Sequence, residues 1–213
     1  MPQLDDICSQ IRTVFNQKTA LRDGALSKAR ELTRHSSLAI RAIHREDELE
    51  ANNELGACKV LAEELKSSLN VHPDLYFAGY TQDALKEYVE AQLTVALIRG
   101  YELSTPEDLG VEPAAYLNGL TETLGELRRR CLDLLRPGYS TEVERLLDAM
   151  DDIFTQLVTM DYPDAITDGL RRRTDLARGI IERTRADITV SFRQSELERA
   201  LSKLSKQLDE HQE

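Results

Sequence analysis

Apolar residues recur at intervals of three and four along nearly the whole 213-residue chain, interrupted by short stretches that hold proline or glycine. That spacing matches the turn of an α-helix and not the two-residue alternation of a half-buried strand. No segment keeps strand-like alternation, so the expected fold is all-α. Composition agrees. Leu, Ala, Glu and Arg dominate, Trp is absent and aromatics make up 5%, a mixture rich in unbranched side chains that lose little freedom on a helix.

The punctuation divides the chain. One long amphipathic stretch covers residues 4–48, with a break expected near Asp23 and Gly24, and a second covers 53–69. Residues 70–74 include Pro73 and read as a loop, because a residue before proline is pushed out of the helical region. A third helix is expected to open at Tyr80 or Thr81 and run to 103. Thr105 followed by Pro106 looks like a cap and first turn, starting a short helix that Gly110 ends. The next helix follows Pro113 and stops at Pro137 and Gly138. Ser140 or Thr141 with Glu144 makes a capping box for another, which Pro163 ends. Residues 164–188 and 191–210 supply the last two. A chain of this length buries one good core, so the expected architecture is a single-domain bundle of about seven helices spanning 1–213.

The formal charge of -11 argues on its face against a nucleic-acid partner, yet net charge is silent about where charges lie. The basic residues are mostly Arg and cluster, with triplets at Arg128, Arg129, Arg130 and at Arg171, Arg172, Arg173. Cys8, Cys58 and Cys131 have no CxxC spacing, which excludes a zinc or disulfide framework and suits thiols in a reducing compartment. No apolar run reaches bilayer length and the N-terminus lacks a signal-peptide core. The expected location is cytoplasmic, without a membrane partner.

The third helix carries the most chemistry. At 100° per residue Asp83, Glu87, Glu90 and Thr94 share one narrow sector, while Leu85, Tyr88, Val89 and Val95 fill much of the remainder. Such a helix should be largely buried. Two carboxylates three residues apart on it repel each other and cost energy to desolvate, and a hard Mg²⁺ or Mn²⁺ would relieve both penalties. The same spacing also fits a solvated polar edge. Glu126 lies across its helix from the stripe of Leu117, Leu124, Cys131 and Leu135. Asp148 and Asp152 lie across theirs from Val143, Met150, Phe154 and Leu157. In a single chain those positions mean solvent exposure; they become a site if the faces line a chamber within an oligomer.

Arg30, Arg34, Arg41 and Arg45, with Ser37 among them and His44 beside them, recur along one helical face, and Leu32, Ala39 and Ile43 occupy another. Such a stripe can grip phosphates and stack on unpaired bases, or stand as a solvated face balanced by Glu31 and Glu46. Arg171, Arg172, Arg173, Arg178, Arg183 and Arg185 either form a second basic face or pair with acids such as Asp164, Asp168, Asp175 and Glu182. Leu197, Leu201, Leu204 and Leu208 have near-heptad spacing, which suits packing on a partner helix.

Several segments carry a family resemblance. Leu85-Lys86-Glu87-Tyr88-Val89-Glu90-Ala91 resembles the L-Q-E-Y-V-E-A segment of the TRAX, or translin-associated, branch of the translin family. Tyr116-Leu117-Asn118-Gly119 followed by Gly125-Glu126-Leu127 is similar to its Y-L-x-G and G-E-L block. Residues 27–33 through Ile43-His44-Arg45 resemble its basic helix ending in L-H-R, and Asp151-Asp152-Ile153-Phe154 falls where it carries an acidic residue before an aromatic. The resemblance implies a helical protomer assembling into a hollow oligomer, an octamer, that takes single-stranded or short duplex RNA inside. It implies a Mg²⁺- or Mn²⁺-dependent endoribonuclease with Glu87, Glu90, Glu126 and Asp152 as catalytic and metal-holding residues, Asp148 competing with Asp152 for its position. Phosphodiester hydrolysis would leave a 5′-phosphate. It turns Arg30, Arg34, Arg41, His44 and Arg45 into expected RNA contacts. Translin-type subunits lack the acidic pair, so the alternative is a non-catalytic binder of RNA or single-stranded DNA; a helical scaffold is a third reading. The chain is expected to act as a homo-oligomer or beside a translin-like paralogue.

Overall fold

A computed structural model describes residues 2–210; Met1 and residues 211–213, the ends of the expected 1–213 domain, lie outside the described residues. Among those described there are nine helical segments and no strand. They are α1 (Pro2–His44), α2 (Glu48–Leu69), α3 (Pro73–Tyr76), α4 (Gly79–Arg99), α5 (Pro106–Leu109), α6 (Pro113–Leu135), α7 (Glu142–Leu157), α8 (Asp164–Thr167) and α9 (Leu170–Glu210). Three are single turns, so six longer helices stand where about seven were expected. The all-α reading holds.

The count differs for local reasons. Helix α1 runs unbroken through Asp23 and Gly24; glycine costs about 1 kcal/mol inside a helix, too little to break one whose next turns bury Ala25, Ala29 and Leu32. Helix α9 likewise continues through Ser191. The expected helix over 164–188 is instead split: Asp168 (φ 52°) and Gly169 (φ 76°) are both left-handed, which ends α8 after one turn. Glu46 (φ 62°) turns the chain from α1 into α2, whose first turn is capped by Asp47 accepting from Glu50 N at 3.1 Å. The capping box of α5 forms as expected: Asp108 N donates to Thr105 Oγ1 at 3.2 Å and Thr105 N to Asp108 Oδ2 at 2.9 Å. The one expected at α7 does not. Thr141 makes no side-chain cap, Ser140 Oγ accepts from Glu142 N at 3.3 Å, and Glu144 is engaged by the Tyr139 hydroxyl at 2.8 Å.

The chain forms two compact units. The first takes residues up to Val95 together with Ser104–Gly119, and the second takes Ala96–Leu103 and the chain from Leu120 onward. In the first, α1 and α2 form an antiparallel pair, fixed in register by Ser36 Oγ against Cys58 Sγ (3.5 Å), Lys28 with Glu64 (2.8 Å) and a His35–Glu54 contact. Ala39, Ile40 and Ala91 make a buried cluster with Leu55 against it, which seats α4 on this pair. In the second unit α7 buries Val143, Leu146 and Met150, and α9 buries Ala177, Ile181 and Ile188. Arg178 stands 5.6 Å over the Phe154 ring. Arg145 donates to the Leu97 and Ile98 carbonyls at 3.0 and 3.2 Å, satisfying the last turn of α4.

Candidate cation and nucleic-acid site

Helix α4 places its acids as the helical period requires. Ala84, Leu85, Tyr88, Val89 and Ala91 are buried, while Glu87 and Glu90 emerge half-buried on the remaining side. Burial deepens along that side: Asp83 is exposed and Thr94 is 0% exposed. Carboxylate oxygens of Glu87 and Glu90 lie within 4.8 Å of each other. At an effective dielectric of about 20, two charges that close repel by roughly 3 kcal/mol. Lys86 offsets part of this, its ammonium 3.1 Å from Glu87. Thr94 Oγ1, one turn beyond Glu90 on the same side, is buried with no hydrogen-bond partner among the described residues. A hydroxyl in that condition costs about 1–3 kcal/mol. Two carboxylates and an orphaned hydroxyl are hard oxygen donors, a set that suits Mg²⁺ or Mn²⁺.

Gly119 of α6 allows the close seat of that segment. A Cβ added there would come within 2.8 Å of the Lys86 carbonyl oxygen and of Val89 Cβ and Cγ1. Residues 122 and 126 follow Gly119 on the same side of α6. Glu126 is half-buried and has Arg129 at 3.5 Å. Glu122, which the sequence reading passes over, is half-buried and pairs with Arg173 at 2.5 Å; its four-residue spacing from Glu126 was the available signal. Asp152 and Asp148 are exposed on α7, and it is their neighbour Asp151 that pairs with Arg185, at 2.6 Å.

The basic stripe of α1 is bare. Arg30, Arg34, Arg41 and Arg45 are exposed and none has an ion pair among the described residues; His44 is half-buried beside them. Arg34 touches the His35 ring at 3.2 Å. On the second basic face Arg173 and Arg185 are taken by Glu122 and Asp151, and in the other triplet Arg128 is taken by Asp187. Glu122 and Asp151, the acids that take Arg173 and Arg185, are not among those nominated from sequence. The α1 stripe therefore presents its four guanidinium groups to solvent. Cys58 and Cys131 are buried, and burial pushes both thiols up to about 11, so they are inert packing groups at neutral pH. No helix among the described residues is long and apolar enough to cross a membrane.

No family model matches the sequence. An uncharacterized protein of Methanocaldococcus jannaschii is 30% identical over 204 residues, which is 94% of this chain and 89% of that protein. Among solved structures, AfC3PO in complex with duplex RNA is 36% identical with a TM-score of 0.80, covering 86% of this chain and 95% of that one. This chain belongs to the translin/C3PO family. A second AfC3PO structure agrees, at 35% identity and TM-score 0.80. NeC3PO in its apo form shares the translin/C3PO fold at 22% identity, with a TM-score of 0.78 over 90% of this chain and 98% of its own.

Proposed function

We propose that this translin/C3PO protein is a TRAX-type, Mg²⁺- or Mn²⁺-dependent endoribonuclease, acting as a cytoplasmic homo-oligomer on single-stranded or short duplex RNA. The observation that carries the reading is the Glu87–Glu90 pair on the half-buried side of α4, one turn from the partnerless Thr94 hydroxyl. Two carboxylates held this close on a half-buried face repel each other, and the arrangement gains from a cation. Glu126 and Asp152, to which we add Glu122, are the further carboxylates proposed for the set. The RNA assignment is supported by the duplex-RNA complex of AfC3PO and by the unpaired arginines of α1. Three free thiols suit a reducing cytoplasm, and the octameric count remains an expectation of the family resemblance.

Arg30, Arg34, Arg41 and Arg45 would hold phosphates, with His44 beside them. Bound at the carboxylates, the metal would supply a water of lowered pKa and charge stabilisation at phosphorus. One glutamate of the pair would orient that water and accept its proton. Loss of the leaving 3′-oxygen would give a 5′-phosphate product. The Lys86–Glu87 ion pair favours a second reading, in which the lysine alone satisfies the carboxylate and the protein binds RNA without cutting it. Incubation of end-labelled RNA with Mg²⁺ and then with chelator separates the two. Cleavage that the chelator stops, and that Glu90→Gln abolishes while RNA retention on a filter persists, supports the nuclease. Intact RNA throughout supports the binder.

A further inference from the structure

Two helical arms leave their own units with apolar stripes uncovered. Helix α2 covers one face of α1 from Ala25 to Ile43, and the same face continues back through Val14, Ile11, Ile7 and Leu4 with nothing on it. The α1–α2 register explains this. Lys28 already meets Glu64, so α2 ends at Leu69 while about twenty residues of α1 remain ahead of it. On α9 the case is reversed. The face holding Ala177, Ile181 and Ile188 packs within the second unit, whereas Leu197, Leu201, Leu204 and Leu208 lie on the opposite face. All eight stripe residues are 46–59% exposed.

We infer that the end of α9 docks antiparallel on the start of α1 in a second copy of this chain. The inference rests on the homo-oligomer part of the proposed function and names its contact. Three observations select this occupant. The stripes match in length and have complementary spacing, 3-4-3 on α1 against 4-3-4 on α9, the alternation that interlocks in a coiled coil. Their charges are opposite: residues 2–11 carry Asp5 and Asp6 and no cation, and residues 199–206 carry Arg199, Lys203 and Lys206 and no acid. Antiparallel pairing sets Leu4 near Leu208 and brings the aspartates toward Lys203 and Lys206, whereas parallel pairing would set them beside Glu198. The residues flanking the stripes are also mainly uncharged, Gln3, Gln10 and Gln17 on α1 and Ser191, Ser205 and Gln207 on α9, and the like charges this register brings nearest, Arg12 and Arg199, lie outside those flanking positions. A helical arm without tertiary packing is marginal in water, so covering one arm with the other stabilises both. The contact is head-to-tail, the kind that closes into rings.

Complementation tests it. One variant carries Ile7→Asp and Ile11→Asp, the other Leu201→Asp and Leu204→Asp, and light scattering reads the mass of each alone and of their mixture. Each variant alone is expected to show at least a two-fold smaller assembly than wild type. The mixture should regain a heavier species, because the sound α9 of one copy meets the sound α1 of the other. An α1 variant that keeps the wild-type mass overturns the inference, since α9 would then be pairing with itself or elsewhere. A mixture no heavier than its components overturns it too. Wild type at 24.1 kDa at every concentration would refute the homo-oligomer as well as the contact. The same comparison with serine in place of aspartate, with far-UV circular dichroism, separates disassembly from unfolding.

Discussion

Gly119→Ala is a sharp perturbation because two effects oppose each other and the structure decides between them. Alanine gains about 1 kcal/mol over glycine inside a helix. Here the new methyl would sit 2.8 Å from a backbone oxygen and from two carbons of Val89, at least about half an ångström inside ordinary contact distance. The carbonyl cannot step aside without moving α4, and overpacking of this kind costs about 1–3 kcal/mol. The net expectation is a loss of up to about 2 kcal/mol, or at most roughly 8 °C in Tm for a chain of this size. Since the displaced segment holds Glu87 and Glu90, cleavage should fall by about ten-fold or more, because misplacement on the ångström scale is expensive in catalysis. Gly125→Ala is the matched control on the same helix. Nothing lies within 4 Å of its added Cβ, so it should raise Tm. Thermal melts and single-turnover cleavage read both variants. A Gly119→Ala protein that melts higher and cuts at the wild-type rate would refute the close seat of α6 on α4 and the link from that seat to the acidic pair.

Three more expectations follow from the geometry. Thr94→Val removes a buried hydroxyl that has no partner, so the metal-free protein should gain about 1 kcal/mol while its stabilisation by Mg²⁺ shrinks; a loss of stability without metal would show that the hydroxyl is satisfied. Arg34→Ala with Arg41→Ala should weaken RNA binding and lower the slope of log affinity against log salt by about two, and an unchanged slope would reduce the stripe to ordinary surface. Arg145 holds the Glu142 carboxyl below its ordinary value. That contribution is therefore present above the unfolded-chain pKa of roughly 4.3 and lost as pH falls through the lower folded value. Both groups are about two-fifths exposed, which limits the effect to about 1 kcal/mol or less. Wild type and Arg145→Gln should accordingly differ in stability at pH 6 and converge in acid by that amount, leaving the loss from the Leu97 and Ile98 carbonyls.

What the sequence made legible was chemistry decided within one or two turns. The Thr105–Asp108 capping box needs four consecutive residues, and it formed. The side of α4 shared by Glu87, Glu90 and Thr94 follows from the helical period alone, as does the exposed row from Arg30 to Arg45. Features set by packing were not legible. Thr94 reads as one more polar residue until its burial is known, and Gly24 reads as a break until the burial of Ala25 and Leu32 is weighed against its modest cost. Ser140 and Glu144 have the right spacing for a box, but Tyr139 competes for the glutamate. Arg173 and Arg185 chose Glu122 and Asp151, acids on other helices that no local pattern identifies. The Asp168-Gly169 pair was readable, since Asp-Gly is a turn signal, and the apolar period around it concealed the stop.

Everything proposed for the chemistry depends on the α4 glutamates holding a divalent cation. Titration calorimetry of Mn²⁺ into the RNA-free protein tests that most directly, using wild type beside Glu87→Gln and Glu90→Gln. The account predicts a saturable isotherm in wild type whose affinity falls at least about ten-fold in each variant, the scale lost when even a supporting group of a metal site is removed. Identical isotherms in all three proteins, or no binding to wild type, would contradict it.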